Sequence, residues 1–142
     1  MTEVTIIAGS ESDAELVRKV EAMLREFGVK YESHVASAHR SPERVKEIVK
    51  NSNAKVFIGI AGLSAALPGA IAPHTTRPVI GLPRNVKLEG LDSLLSMMQM
   101  PPGMPVATVG IDNAKNAALL AVEILAVGDE KLKEKLEEFR NK

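Results

Sequence analysis

Runs of apolar, often β-branched residues alternate with stretches of helical periodicity along this chain, and that alternation limits its possible folds more than any other feature. Val4–Ala8 reads as a first strand. It is followed by Asp13–Phe27, where Ala14, Leu16, Val17, Val20, Met23, Leu24 and Phe27 recur at helical spacing and Gly28 supplies the stop. A strand over about Lys30–Ala36 and a helix over about Pro42–Asn51 come next. Val56–Ile60 is a continuous apolar run, the pattern of a strand covered on both faces. The turn Ala61-Gly62-Leu63-Ser64 then opens a helix of small residues running to about Pro73. Pro78–Leu82 reads as a fourth strand, Leu91–Gln99 as a short helix, Val106–Val109 as a fifth strand and Asn113–Val127 as an Ala-rich helix. In Glu130–Arg140 the apolar Leu132, Leu136 and Phe139 share one face amid charges, which predicts an amphipathic C-terminal helix laid on the body or on a neighbour. Buried strands alternating with helices imply an α/β fold, a five-stranded parallel sheet with helices on both faces. No long linker, charge block or low-complexity tract divides the 142 residues, so one domain is expected over 1–142.

Composition removes several classes of function. Lys plus Arg equals Asp plus Glu at 18 each, leaving no net field to recruit nucleic acid or a membrane surface. The four aromatics, Phe27, Tyr31, Phe57 and Phe139, are too scattered for a base-stacking platform. The absence of cysteine excludes a disulfide framework, a thiolate nucleophile and zinc-finger spacing. His34, His39 and His74 show no ligand spacing with carboxylates, so no metal is expected. The first strand begins without a basic-plus-apolar leader, and no run reaches the ~18 apolar residues of a membrane span. The expectation is a soluble, cytoplasmic protein acting on a small molecule, with neither nucleic acid nor membrane as partner.

The segment Ser37-Ala38-His39-Arg40-Ser41-Pro42 lies between a strand and a helix, where an α/β sheet opens its binding crevice. It sets an imidazole, able to move protons near neutral pH, beside a guanidinium, a fixed anion clamp. Ser41 as N-cap and Pro42 at the first helical position would account for the helix start but not for His39 and Arg40. Gly9-Ser10-Glu11-Ser12-Asp13 follows the first strand, where the next helix presents free N–H groups. Ser10 and Ser12 can donate to a phosphate or ribose and Asp13 can accept from ribose hydroxyls. Ser12 with Glu15 also fits a capping box, and one turn can serve both ends. After the third strand, Ala61–Gly69 carries small residues that let a ligand approach the backbone, with Gly62 and Leu67 as its contact positions; the same residues would also permit tight helix packing. These three turns belong on one edge of a parallel sheet, and their convergence points to a ligand site there. His34, within a strand, and His74, at a helix end, read as structural. Pro83–Gly90 and Pro101-Pro102-Gly103 are irregular stretches suited to covering a substrate or bridging subunits.

These turns, together with Asp92-Ser93-Leu94-Leu95-Ser96 and Gln99–Val109, resemble in order and over about Val4–Ala126 the 5-(carboxyamino)imidazole ribonucleotide mutases and aminoimidazole ribonucleotide carboxylases of de novo purine synthesis. The resemblance implies a three-layer α/β/α, flavodoxin-like domain, a homo-octamer with sites built from adjoining subunits, no metal and no organic cofactor. It implies a ribonucleotide substrate and CO2, with 4-carboxy-5-aminoimidazole ribonucleotide as product. By position, Ser10 and Asp13 match the family's nucleotide-binding pair, Arg40 its substrate-binding arginine and His39 its proton-shuttling histidine; Ser12, Ser37 and Ala38 lie in the same two motifs.

One stretch departs from the family pattern. Bacterial mutases show Gly-Ala-Ala-His-Leu-Pro-Gly after the third strand, whereas Leu63–Gly69 has Ala66 in the histidine's place. Animal-type carboxylases, which take CO2 directly, show Ala-Gly-Arg-Ser-Asn, and Ala61–Ala65 lacks the Arg and Asn. The Ser-Ala-His-Arg and Gln-Met-Pro segments favour the mutase branch, with direct carboxylation as the alternative. A non-catalytic flavodoxin-like nucleotide-binding module is the reading from a different class. Against it, no strand ends in an acidic receiver cluster and no aromatic pair is placed to sandwich a flavin.

Overall fold

The computed structural model describes residues Met1–Lys142. Five strands, β1 (Val4–Ala8), β2 (Tyr31–Val35), β3 (Val56–Ala61), β4 (Val79–Pro83) and β5 (Ala107–Thr108), form one parallel sheet in the order β2-β1-β3-β4-β5. Six helices connect and flank them: α1 (Ala14–Glu26), α2 (Pro42–Asn51), α3 (Leu67–Ile71), α4 (Leu91–Met98), α5 (Ala114–Ala126) and α6 (Glu130–Arg140).

The strand residues alternate between two cores. Ile6, Ala8, Ile58, Ile60, Ile80 and Leu82 belong to the core under α1 and α5 on one face, while Ile7, Phe57 and Val79 meet α2, α3 and Met97 of α4 on the other. Consecutive side chains of a strand point to opposite faces, so a sheet covered on both sides needs unbroken apolar strands. β1, β3 and β4 are buried at every position for this reason. Burying one such Ile or Leu stabilises the fold by about 1.5–3 kcal/mol.

The register ends the strands together. Ala8 pairs with both Val35 and Ile60, and Ala61 pairs with Pro83, so the carboxyl ends of β1 to β4 finish along one edge. Element boundaries follow the sequence reading closely, with two informative exceptions. β5 is two residues rather than four: it lies on the sheet's outer edge, Ala107 is exposed, and Pro105 upstream has no N–H to donate. The helix expected after the Ala61–Ser64 turn begins at Leu67, with Ala66 in the N-cap position, and Ser64 itself sits at φ 45°, a left-handed conformation that keeps it out of the helix.

α6 packs on the body of its own chain. Leu132 is buried, the Phe139 ring lies 5.4 Å from that of Phe27, and Lys135 Nζ donates to the Phe27 carbonyl at 3.2 Å. The Asp129 side chain caps this helix by accepting from the Leu132 N–H at 3.1 Å. No helix is long and apolar enough to cross a membrane.

Candidate active site at the carboxyl edge of the sheet

The chain runs from β1 outward to β2 and then returns past β1 to β3, so the strand order reverses between β1 and β3. In open α/β sheets the crevice beyond the carboxyl ends at such a reversal is where ligands bind. Backbone bonds hold the turns tightly there: the Gly9 N–H donates to Ile60 O at 2.9 Å, Ala36 to Ala8 O at 2.9 Å and Arg84 to Ala61 O at 3.0 Å.

The turn after β1 is closed by a capping box. Ser10 Oγ accepts from the Ser12 N–H at 3.1 Å, and Asp13 Oδ2 accepts from the Ser10 N–H at 3.1 Å. The box expected at Ser12 and Glu15 does not form. A single 3-10 turn over Glu11–Asp13 starts the helical path earlier, and Glu15 instead faces Lys19 at 3.3 Å on the surface. Asp13 is 1% exposed, and its other oxygen, Oδ1, accepts from Arg84 Nε at 2.5 Å. Burial pushes the Asp13 carboxyl above its ordinary value, while Arg84 and the Ser10 and Gly9 N–H groups pull it part of the way back.

In the turn after β2, Ser37 supplies the side-chain and carbonyl acceptors that close the turn. Ser37 Oγ accepts from the Arg40 N–H at 3.1 Å, and Ser37 O accepts from the Ser41 N–H at 2.8 Å. Ser41 does occupy the N-cap position ahead of Pro42, but at ψ 58° its hydroxyl makes no capping bond. The fold of this turn leaves His39 and Arg40 exposed. His39 Nε2 lies 3.2 Å from the Ser64 carbonyl oxygen. A carbonyl can only accept, so Nε2 carries the hydrogen in this contact, and the neutral ring keeps its free lone pair on Nδ1.

Ser64 is itself fixed from the other side: its N–H donates to Asp92 Oδ2, on the first turn of α4, at 2.7 Å. Gly62, two residues earlier, is sealed beneath the segment after β4; a Cβ there would stand 2.5 Å from Val86 Cγ2 and 3.1 Å from an Arg84 terminal nitrogen. Glycine is required for that approach.

Of the residues singled out from the sequence, Ser10, Ser12, Ser37, Ala38, His39 and Arg40 come together at this edge, with Asp13 buried beneath them. Leu67 does not offer its side chain to a ligand: it is 1% exposed and packs in the core beside Gly9. Gly62 is covered by Arg84 and Val86 rather than open. Ala66, at the histidine's position, is exposed just before α3. Arg84 is the residue that sequence reasoning missed. Its one signal was a place in the irregular stretch after the fourth strand. His34 pairs with Glu32 at 3.2 Å on β2, away from the crevice.

A cleft of about 910 Å³ opens at the opposite, amino edge between Lys50, His74, Arg77 and Met104. Arg77 there donates to Ser52 O at 2.8 Å and Ala54 O at 2.6 Å and stacks 5.6 Å from the Phe57 ring centre. Those contacts secure the chain between α2 and β3. No group of three or more His, Asp or Glu side chains is arranged to hold a metal.

Sheet order and converging turns define a doubly wound α/β ligand-binding domain with an imidazole and two arginines at its crevice. The chain belongs to the AIR carboxylase family, whose model matches residues 3–142. It is 61% identical over 139 residues to the N5-carboxyaminoimidazole ribonucleotide mutase of Methanocaldococcus jannaschii, covering 98% of this chain and 88% of that protein. It is 52% identical over 144 residues to the protein of that name from Pyrococcus abyssi, covering 99% and 83%. The crystal structure of Treponema denticola PurE superimposes with a TM-score of 0.91 at 30% identity, covering 99% of this chain and 90% of that one.

Proposed function

We propose that this chain is a purine-biosynthetic isomerase that moves the carboxylate of 5-carboxyaminoimidazole ribonucleotide from the exocyclic nitrogen to ring carbon C4. The observation that carries this reading is the His39 ring, fixed through Nε2 by the Ser64 carbonyl with Nδ1 free, in the crevice at the strand reversal. The shared name of the archaeal relatives supports the mutase branch over direct carboxylation.

The chemistry requires one proton to leave and return. Breaking the N–CO2 bond releases CO2 and leaves an amine, whose nitrogen takes a proton from the imidazolium at Nδ1. C4, an enamine-like carbon, then attacks the CO2, and the new C4–C bond leaves a proton on C4 that must depart to restore aromaticity. Nδ1 of the now neutral His39 accepts it, so the imidazole ends as it began. Ser10 and Ser12 bind the nucleotide from the turn after β1, which Asp13 holds from beneath. Ser37, Ala38 and Arg40 line it from the turn after β2, with Arg40 clamping the phosphate. The exposed side chains of Leu88, Leu91, Leu95 and Met98, spaced three, four and three residues apart beside the crevice, support an octamer in which neighbours cover the site.

Substrate labelled with heavy carbon in its carboxylate, turned over in unlabelled bicarbonate, tests this reading. The expected product carries the label at its C4 carboxylate. Unlabelled product, or turnover only from aminoimidazole ribonucleotide and bicarbonate, would establish direct carboxylation instead.

A further inference from the structure

Arg84 lies outside the motifs that gave the other site residues, yet it is among the most firmly held side chains of the crevice. Its backbone is pinned on both sides: the N–H donates to Ala61 O at 3.0 Å, and the carbonyl accepts from Ser93 Oγ at 2.6 Å. Its Nε donates to Asp13 Oδ1, and Asp13 is fixed in turn through Oδ2 by the Ser10 N–H. The two terminal amino groups make no hydrogen bond within the chain. One of them crosses the Gly62 turn, 3.1 Å from where a side chain would begin, and the Arg84 side chain is 28% exposed.

A guanidinium anchored by Nε alone keeps its terminal fork, the pair of parallel N–H groups that matches two oxygens of a carboxylate or phosphate. An arginine needed only to neutralise Asp13 would turn that fork onto the carboxylate. Here Nε alone holds Asp13, and one terminal amino group lies against Gly62, two residues before the Ser64 whose carbonyl meets His39, on a side chain that is 28% exposed.

We propose that Arg84 grips an oxyanion of the substrate, the migrating carboxylate or the 5′-phosphate, and that Asp13 is the positioning residue that aims it. This rests on the mutase reading above. Binding of 4-carboxy-5-aminoimidazole ribonucleotide and of 5-aminoimidazole ribonucleotide, measured by calorimetry with melting curves, tests it on wild type, Arg84→Lys and Arg84→Gln. Lys keeps a charge for Asp13 and Gln keeps an amide N–H for it, so both variants remove the fork while leaving the buried carboxylate a partner, and the melting curves check that each is folded.

The expected result is a loss of about 10-fold or more in affinity for the carboxylated nucleotide in both variants, the size of a lost charge-assisted pair. Unchanged binding of aminoimidazole ribonucleotide would assign the fork to the carboxylate, and an equal loss for both nucleotides would assign it to the phosphate. Wild-type affinity of both variants for both nucleotides overturns the inference alone. A wild-type protein that binds neither nucleotide overturns the functional reading and the inference with it.

Discussion

At the amino edge of the sheet, Arg77 turns its guanidinium onto two backbone carbonyls and the face of Phe57. At the carboxyl edge, Arg84 holds one carboxylate through Nε and leaves its fork unbonded. The backbone differs in the same sense. Four non-glycine residues adopt left-handed φ, and all follow β3, β4 or β5: Ser64 at 45°, Leu88 at 52°, Glu89 at 57° and Asp112 at 57°. Where the chain needs positive φ at the amino edge, after α1 and ahead of β5, glycine supplies it at Gly28 and Gly103. A left-handed non-glycine residue costs of order 1–3 kcal/mol and persists only where its surroundings enforce it. The contrast teaches that an arginine's bonding, more than the presence of a cleft, separates the two edges: Arg77 commits its guanidinium to the fold, while Arg84 keeps two terminal donors unbonded where the non-glycine left-handed residues gather.

The largest expected effect on stability belongs to the amino edge. Arg77→Met removes two charge-assisted bonds to carbonyls and the stacking on Phe57, and should destabilise the fold by about 2–4 kcal/mol. For a chain of this size that corresponds to a fall in Tm of roughly 5–15 °C. Turnover per folded molecule should stay at the wild-type value. A variant that melts normally but turns over slowly would place chemistry in the amino-edge cleft and break the comparison.

A smaller effect, visible only as a difference, belongs to Asp13. Burial raises its carboxyl above the value in the unfolded chain, so the folded state holds the proton more readily. Its contribution to stability is therefore complete below the unfolded value of about 3.9 and declines as pH rises through the raised one. Melting curves of wild type and Asp13→Asn, compared from about pH 4 to neutrality, should show the wild type losing ground to the variant as pH rises. The opposite slope would mean that the Arg84 pair outweighs burial, and would recast Asp13 as an ordinary stabilising ion pair.

The fold was legible in the sequence because its strongest signals are local. β1, β3 and β4 are apolar at consecutive positions since both faces are covered, and α2 and α6 carry their apolar stripes and starts within a few residues. Turn geometry was read less well. The capping box fell at Ser10 and Asp13 instead of Ser12 and Glu15, while Ser41 took the N-cap position ahead of Pro42 without making a capping bond, and the side-chain bond that closes that turn came from Ser37. His39 and Arg40 were legible through their motif. Arg84 was not, since its meaning depends on Asp13, 71 residues away in sequence, and on a glycine that leaves room above the third turn. Leu67 packs its side chain into the core, so only its backbone faces the site, a distinction the residue type does not carry.

The central claim is that proton transfer at the carboxyl edge runs through His39, and His39→Asn tests it most directly. Asn fills much of the imidazole's volume and can still donate to the Ser64 carbonyl, yet it cannot carry a proton between nitrogen and C4. Turnover of carboxyaminoimidazole ribonucleotide should fall by roughly 10²–10⁴-fold, while the melting temperature and nucleotide affinity stay close to wild type. A folded His39→Asn protein turning over at near the wild-type rate would contradict the account.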